Sequence, residues 1–208
     1  MTRIAFALVC VVLIGGCAFG QKISYDRTVS LDARGSGTMD VAVVDMRPYV
    51  VNGDKSADFV GLQRGGYGNP FDVKTDTGNP LAEDIAASLR SSLEASGFEV
   101  TIIPTSPSRS ADEARERLLA SASDVDVLFR FAELKSDTMN NAAFQYDVML
   151  TVYRNGRDVA SSSAQGRDNL GGSFLNPTGH ARDAVPEAWN SLMDRLLNDP
   201  EVVAALER

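Results

Sequence analysis

Few side chains in this sequence have the type and spacing to do covalent or acid–base chemistry. There is one histidine, His180, and there are two cysteines, Cys10 and Cys17. A serine hydrolase would need His180 as its base, yet no Gly-x-Ser-x-Gly elbow presents a serine. A zinc site would have to complete its ligand set around His180 with carboxylates. His180 follows Gly179 just before a helical pattern, where a capping or solvated role is expected. Asp72/Asp76 and Asp124/Asp126 have calcium-like spacing, but Lys74 takes the third position of the first would-be loop and breaks the EF-hand pattern. Gly65-Gly66-Tyr67-Gly68 lacks the lysine and the strand-to-helix step of a phosphate loop, so turn geometry is its reading. No catalytic residue, metal or cofactor is expected.

Cys17 is different. Leu13-Ile14-Gly15-Gly16-Cys17 places a thiol directly after two small residues and an aliphatic one, at the end of the apolar run Ile4–Ile14, with Arg3 the only charge before it. The run is too short to span a bilayer as a helix and fits a signal-peptide core. The pattern resembles a bacterial lipobox, in which the cysteine is acylated and becomes the mature N-terminus. Residues 1–16 are then a lipoprotein signal, Cys10 leaves with it, and acylation accounts for the one remaining cysteine. More than one acyl chain makes membrane residence stable, each buried methylene contributing about 0.8 kcal/mol. Ala18, standing where aspartate commonly retains such proteins in the inner membrane, implies sorting to the outer membrane, facing the periplasm.

Composition sets further bounds. The formal net charge is −8, and loss of Arg3 makes the mature chain more acidic still. That balance excludes nucleic acid as a partner and argues against a polybasic lipid-binding face. No second stretch approaches membrane-spanning length, so the lipid is the expected membrane attachment. The length suits one domain with a real core.

The elements follow from periodicity. Residues 17–38 read as a lipidated N-terminus and tether, with Ile23, Tyr25, Val29 and Leu31 scattered among polar residues and Gly35-Ser36-Gly37 as a joint. Met39–Met46 has a continuous apolar core, Val41-Ala42-Val43-Val44, suited to a central strand. From Pro48 to Asn79 lies a long connection rich in turn dipeptides and aromatics. It is expected to form one or two short hairpins, for example around Asn52-Gly53, that pack on the domain edge and are separable from the core. A helix follows: Asn79 as N-cap, Leu81, Ile85, Leu89 and Leu93 in one stripe, and Gly97 with Phe98 closing it. Phe98–Ile103 is a strand, and Ser110 with Glu113 has capping-box spacing ahead of a short helix. Alternation from Val125 to Phe131 and from Phe144 to Val152, then Asn155-Gly156 and a serine-rich edge strand, makes a meander. Ala181, Val185, Trp189, Leu192 and Leu196 form a helical stripe that Pro186 must kink or begin, and Asp199-Pro200 starts a terminal helix. The fold class is α+β, a single domain over 39–208. It is expected as a two-layer sandwich with a mixed sheet of roughly five strands and helices packed mainly on one face.

This order is similar to that of the YajG-like bacterial lipoproteins. The likeness is carried by the lipobox, Val43-Val44-Asp45-Met46-Arg47, Tyr153-Arg154-Asn155-Gly156, and the helix through Ala184, Trp189 and Leu192 into Asn198-Asp199. The loop 48–79 and Pro186 depart from that pattern. The family is largely uncharacterised, so it implies a lipid-anchored envelope protein and transfers no catalytic residues. Fold analogy alone links the two-layer shape to lipoproteins that activate peptidoglycan synthases.

The remaining candidates are therefore contact residues. Asp45 and Arg47 stand where the first strong strand opens into the long loop, at a strand end of the kind that often faces a crevice. A structural pair pinning the loop is the blander reading. Tyr49, Phe59, Tyr67 and Phe71 in that loop offer large contact area at low entropy cost. The expected activity is non-enzymatic docking or regulation of an envelope protein through this loop. The alternative is an envelope-polymer module using the polar sheet face, where Arg130 and Asp147 are expected as cross-strand neighbours and Tyr153 as the one aromatic with suitable parity.

Overall fold

The apolar run after Gly37 is, as its unbroken β-branched character requires, a strand buried on both faces. Thr38–Asp45 (β2) runs between two parallel neighbours, Glu99–Ile103 (β5) on one side and the first half of Val125–Thr138 (β6) on the other. The computed structural model describes residues 21–121 and 123–207, so Cys17 and the lipobox stretch lie outside the described residues. The other strands are Lys22–Ile23 (β1), Phe59–Arg64 (β3), Pro70–Thr75 (β4), Asn141–Arg154 (β7) and Arg157–Gly172 (β8). The helices are Pro48–Val51 (α1), Leu81–Glu94 (α2), Asp112–Leu119 (α3), Pro177–Leu197 (α4) and Pro200–Glu207 (α5).

All strands join one mixed, eight-stranded sheet, larger than the sequence pattern suggested. β6 is its rail. Along one edge of β6, β2 pairs as far as Asp45↔Phe131, and β3 takes over in parallel from Gly61↔Ser136 to Gln63↔Thr138. Along the other edge β7 and then β8 complete an antiparallel meander, with β8 at the sheet edge. Asn155 (φ 51°) and Gly156 (φ 73°) supply the two left-handed residues of the β7–β8 turn.

α2, α4 and α5 cover one face, where Leu81, Ile85, Leu89, Phe129, Phe131, Trp189, Leu192 and Val202 share the main core. The short α3 packs on the opposite face, over Ala42, Val44, Leu128 and Tyr153. The N-cap position of α2 falls on Pro80 rather than Asn79, while Thr77 donates to Asp84 in the first turn. Pro186 sits inside α4 and does not mark its start. α2 ends as its sequence predicts. Gly97 N–H reaches Glu94 O and Phe98 N–H reaches Leu93 O, the paired bonds of a Schellman cap.

Two expectations are overturned. The segment read as a tether belongs to the fold from Gln21 onward: β1 pairs in parallel with β4, and Tyr25, Val29, Leu31 and Ala33 are buried. It is laced to α2 by a serine ridge at four-residue spacing. Ser88 Oγ donates to Arg27 O, Ser92 Oγ accepts from Val29 N–H, and Ser96 O accepts from Gly35 N–H. Asn198, just past α4, brackets Ser30 O and Asp32 N–H, and Trp189 Nε1 donates to Tyr25 O. The loop 48–79 is not separable either. It forms α1 and the β3–β4 hairpin, whose Phe59, Val60 and Val73 are buried, while Asn52-Gly53 only ends α1.

Gly97 carries the junction between cap and N-terminal segment. Its φ of 103° suits glycine, and a Cβ there would strike the carbonyl oxygen of Gly35. Gly97→Ala should therefore lower stability by at least about 1–2 kcal/mol, the left-handed cost alone. Urea unfolding should show this as a lower midpoint with an unchanged slope.

Candidate functional site

β2 leaves β6 after Phe131, and β3 joins it only at Ser136. A bulge in the β6–β7 pairing falls in the same interval, between Phe131 and Glu133. In this gap the edge carbonyls of β6 have no strand beside them. Arg47 fills it. After Met46 N–H donates to Phe131 O, the Arg47 guanidinium takes the next place, donating to Leu134 O at 3.3 Å, Phe59 O at 2.5 Å and Ala57 O at 3.2 Å. Its remaining donors form a fork with Asp45, Nε to Oδ1 at 2.9 Å and Nη2 to Oδ2 at 2.6 Å. The side chain is 0 % exposed and that of Asp45 2 %. Burial works against the Arg47 charge, the adjacent Asp45 carboxylate outweighs it, and the guanidinium is held above its ordinary value.

Aromatic rings close over this pair. Arg47 lies 5.2 Å from the Phe131 ring centroid and 5.6 Å from that of Tyr49, and Tyr49 meets Phe59 edge to face at 5.6 Å. The Tyr49 hydroxyl donates to Glu133 at 2.5 Å, and Glu133 in turn holds Lys135 at 2.8 Å. Burial pushes the Tyr49 phenol well above its ordinary range, against the pull of Arg47. A buried, fully partnered arginine and a phenol shifted upward do not make acid–base machinery; they make a rivet.

Four of the six expected contact residues, Asp45, Arg47, Tyr49 and Phe59, are thus brought together, but inward. Asp45, Arg47 and Phe59 are buried and Tyr49 is half-buried, so they hold the hairpin in place and present little to a partner. Phe71 is half-buried on β4, opposite Gln63. Tyr67 alone points out, fully exposed at the tip of the β3–β4 hairpin. The hairpin lies close because Gly61 faces Ser136, where a Cβ would come within 2.6 Å of the Ser136 carbonyl oxygen.

On the polar sheet face the register differs from expectation. The β6–β7 turn centres on Asn140, later than the expected pairing requires, so Arg130 lies opposite Met149 and, beyond the bulge, Asp147 opposite Glu133. Arg130 donates to Met149 Sδ, and Gln165 donates to Asp147. Tyr153 is buried under α3, with Arg115 at 5.4 Å from its ring, and so offers no sugar-stacking platform. His180 Nε2 lies 2.9 Å from Leu170 O, joining the end of β8 to α4. Asp72 pairs with Lys55, and Asp124 accepts from the Thr38 N–H and hydroxyl. Among the described residues no group of histidines, cysteines and carboxylates converges as a metal site would require. Sequence reading passed over Phe174 and Leu175, which are almost fully exposed between β8 and α4. An adjacent apolar pair set between Gly171-Gly172-Ser173 and Asn176-Pro177 was the available signal.

No protein-family model and no curated protein matches this chain. Likeness is found among solved structures. The crystal structure of XCC0632 from Xanthomonas campestris, described as DUF330, superposes with a TM-score of 0.57 at 14% identity, covering 88% of this chain and 95% of that one. The lipoprotein GNA1162 from Neisseria meningitidis gives 0.39 at 14% identity, over 73% and 96%. A PelC dodecamer from Paraburkholderia phytofirmans gives 0.40 at 16% identity, over 88% and 98%. The class defined is therefore an α+β sheet-and-helix fold, and the chain shares it with XCC0632. At that identity the likeness is one of fold alone, and the YajG-like resemblance rests on the sequence motifs. None of the three descriptions names an enzymatic activity. No described helix is long and apolar enough to cross a membrane.

Two predictions follow from these charges. Arg47→Ala strands a buried carboxylate and three carbonyls, and should cost about 3–5 kcal/mol. Arg47→Lys should recover only part of that, because an ammonium cannot reproduce the fork. Equal stability of the lysine variant and the native chain in urea unfolding would refute the fork's role. The second concerns Asp126, buried beside Asp40 in the adjoining register position. Burial raises its carboxyl, the Ser123 and Ser121 hydroxyls resist, and Asp40 adds to the rise. A folded value above the unfolded one gives stability that is full below the ordinary carboxylate range and lost as pH rises through the folded value. Asp126→Asn escapes that loss, so its Tm relative to the native chain should rise from pH 4 to pH 7.

Proposed function

We propose that this chain is a lipid-anchored, non-catalytic protein of the bacterial envelope that docks a protein partner through the β3–β4 hairpin. The observation that carries this reading is Tyr67, fully exposed at the tip of a hairpin whose base is locked into the sheet by Arg47. An exposed tyrosine brings a large contact area with few rotatable bonds to order, the profile of a binding anchor. The lipobox spacing at Cys17 supports the anchor, Ala18 supports outer-membrane sorting, and the YajG-like motif order supports the envelope assignment. The interior polar groups serve structure, and His180 is engaged in tying β8 to α4, which favours binding over turnover.

A second reading has one observation in its favour. The outer sheet face carries an open hollow of about 400 Å³ lined by Met46, Arg130, Ala132, Asp147, Met149 and Gln165, among others. An envelope polymer could lie there.

In-cell photo-crosslinking separates the two. A photoreactive residue at position 67 should trap one discrete envelope protein, and the same residue at position 130 should not. Glycan products, or products from 130 alone, would replace docking with polymer binding. Tyr67→Ser should remove the partner in co-purification while leaving stability within about 0.5 kcal/mol, since the side chain has no packing to lose.

A further inference from the structure

Five large apolar side chains are exposed among the described residues: Tyr67, Met139, Val159, Phe174 and Leu175. Four of them fall at one end of the sheet. β3 and β6 run parallel and finish together, at Gln63↔Thr138, with Arg64 and Asp137 paired at 2.7 Å. Tyr67 is at the tip of the hairpin just beyond Arg64, and Met139 is in the turn just beyond Thr138. β8 ends opposite the start of β7, at Asn141↔Gly172, and Ser173 N–H donates to Asn140 O in that same turn. Phe174 and Leu175, 87 % and 93 % exposed, follow directly. Val159 lies at the opposite end, beside the Asn155-Gly156 turn.

The direction of the N-terminal strand points to what covers this patch. β1 is parallel to β4 with Lys22 opposite Lys74, and Lys74 N–H donates to Gln21 O. The chain therefore enters β1 from the side of Pro70, the hairpin-tip end of β4. From Lys74 back to Pro70 is about 13 Å of strand. From Lys22 back to Cys17 the chain can reach at most about 18 Å. An acyl group on Cys17 is thus tethered within reach of the end that carries the exposed apolar tips, and far from Val159.

We infer that Phe174 and Leu175, with Met139 beside them, form a lipid-contacting patch that inserts into the surface of the bilayer holding the anchor. This rests on the anchored reading of Cys17. The patch fixes the orientation of the domain on the membrane, and the hairpin tip with Tyr67 then meets its partner at the lipid surface. With a net charge of −8 and the Arg64–Asp137 charges paired with each other, apolar insertion rather than attraction to anionic headgroups carries the contact.

The test uses the full lipidated chain in phosphatidylcholine vesicles containing doxyl-labelled lipid. Phe174→Cys, Leu175→Cys, Met139→Cys and Val159→Cys are each labelled with an environment-sensitive fluorophore, the Cys17 thiol being blocked by its thioether-linked diacylglyceryl group. The expected result is a blue shift and doxyl quenching at 174, 175 and 139, with a water-like, unquenched spectrum at 159. Replacing a third of the lipid with phosphatidylglycerol, or adding salt, should leave this pattern in place. Water-like spectra at 174 and 175 overturn the patch. So does a blue shift without doxyl quenching, since a second copy or a protein then covers it. The mass of the N-terminal peptide reads the anchor separately. An unmodified Cys17 removes the anchored reading and this inference together, whereas a modified Cys17 with unquenched 174 and 175 removes only the inference.

Discussion

A buried arginine stands where two strands fail to meet, and the arrangement of this protein depends on it. A sheet edge leaves a row of polar backbone groups that must find partners or stay wet. Here the edge of β6 is served by β2 and then β3, and the interval between them is interior. Water has no place there, and another strand would need a connection the chain does not have. The Arg47 fork spans the interval with directional donors, and Asp45 two residues earlier neutralises it. Replacement of a buried ion pair by apolar groups is often neutral in other proteins. Here the loss would be of a different kind, because the guanidinium also satisfies carbonyls that no apolar side chain can serve. The pair therefore sets position: it decides where the 48–79 segment must lie, and it aims the hairpin tip.

The second constraint comes from the N-terminal segment. A lipid anchor on a flexible tether would leave the domain free to tumble above the membrane. In this chain the described segment is sewn to α2 by its serine ridge and to α4 through Trp189 and Asn198, so no slack remains after Gln21. With the proposed lipid on Cys17, the distance from acyl group to domain would be limited to a few residues, and the surface around the entry to β1 would be held close to the bilayer. The same stitching makes the α2 C-cap sensitive: Gly97 must accommodate Gly35, so helix end and N-terminal segment form one unit.

How far the sequence disclosed this differs by element, for physical reasons. β2, α2 and the β6–β7–β8 meander were legible because their side-chain patterns are strong, and the strands of the meander are also neighbours in sequence. β3 was not. Gly61 and Gln63 interrupt its apolar pattern, and its parallel pairing with β6 joins segments far apart in the chain. The N-terminal segment hid for a related reason. Its alternation of Val29, Leu31 and Ala33 with Ser30, Asp32 and Arg34 was visible, but its hydrogen bonds go to side chains of α2 and α4 rather than to a strand ladder. The proposed contacts showed the converse error. Residue type marked Asp45, Arg47 and Phe59 as notable, and they are, but burial turns their role from contact to support. Arg130 and Asp147 were placed on the right face, and a β6–β7 turn centred on Asn140 moved their pairing.

These constraints together support the proposed binding role. The polar groups most able to do chemistry are those the structure consumes: Arg47 by carbonyls and a carboxylate, Tyr49 by Glu133, His180 by Leu170 O. Of the five large apolar side chains exposed among the described residues, four lie on loop tips at one end of the sheet. Folding alone favours covering such groups, since exposure of a Phe and a Leu forfeits about 1.5–3 kcal/mol for each. An acidic chain is repelled by an anionic surface within a Debye length of roughly 8 Å in physiological salt. On the proposed reading, a short anchor would overcome that repulsion by holding the loop tips inside this distance, where apolar contact would outweigh it. On the proposed reading, anchor length, hairpin aim and exposed tips would act as one device, which would present Tyr67 along the membrane instead of into open solvent.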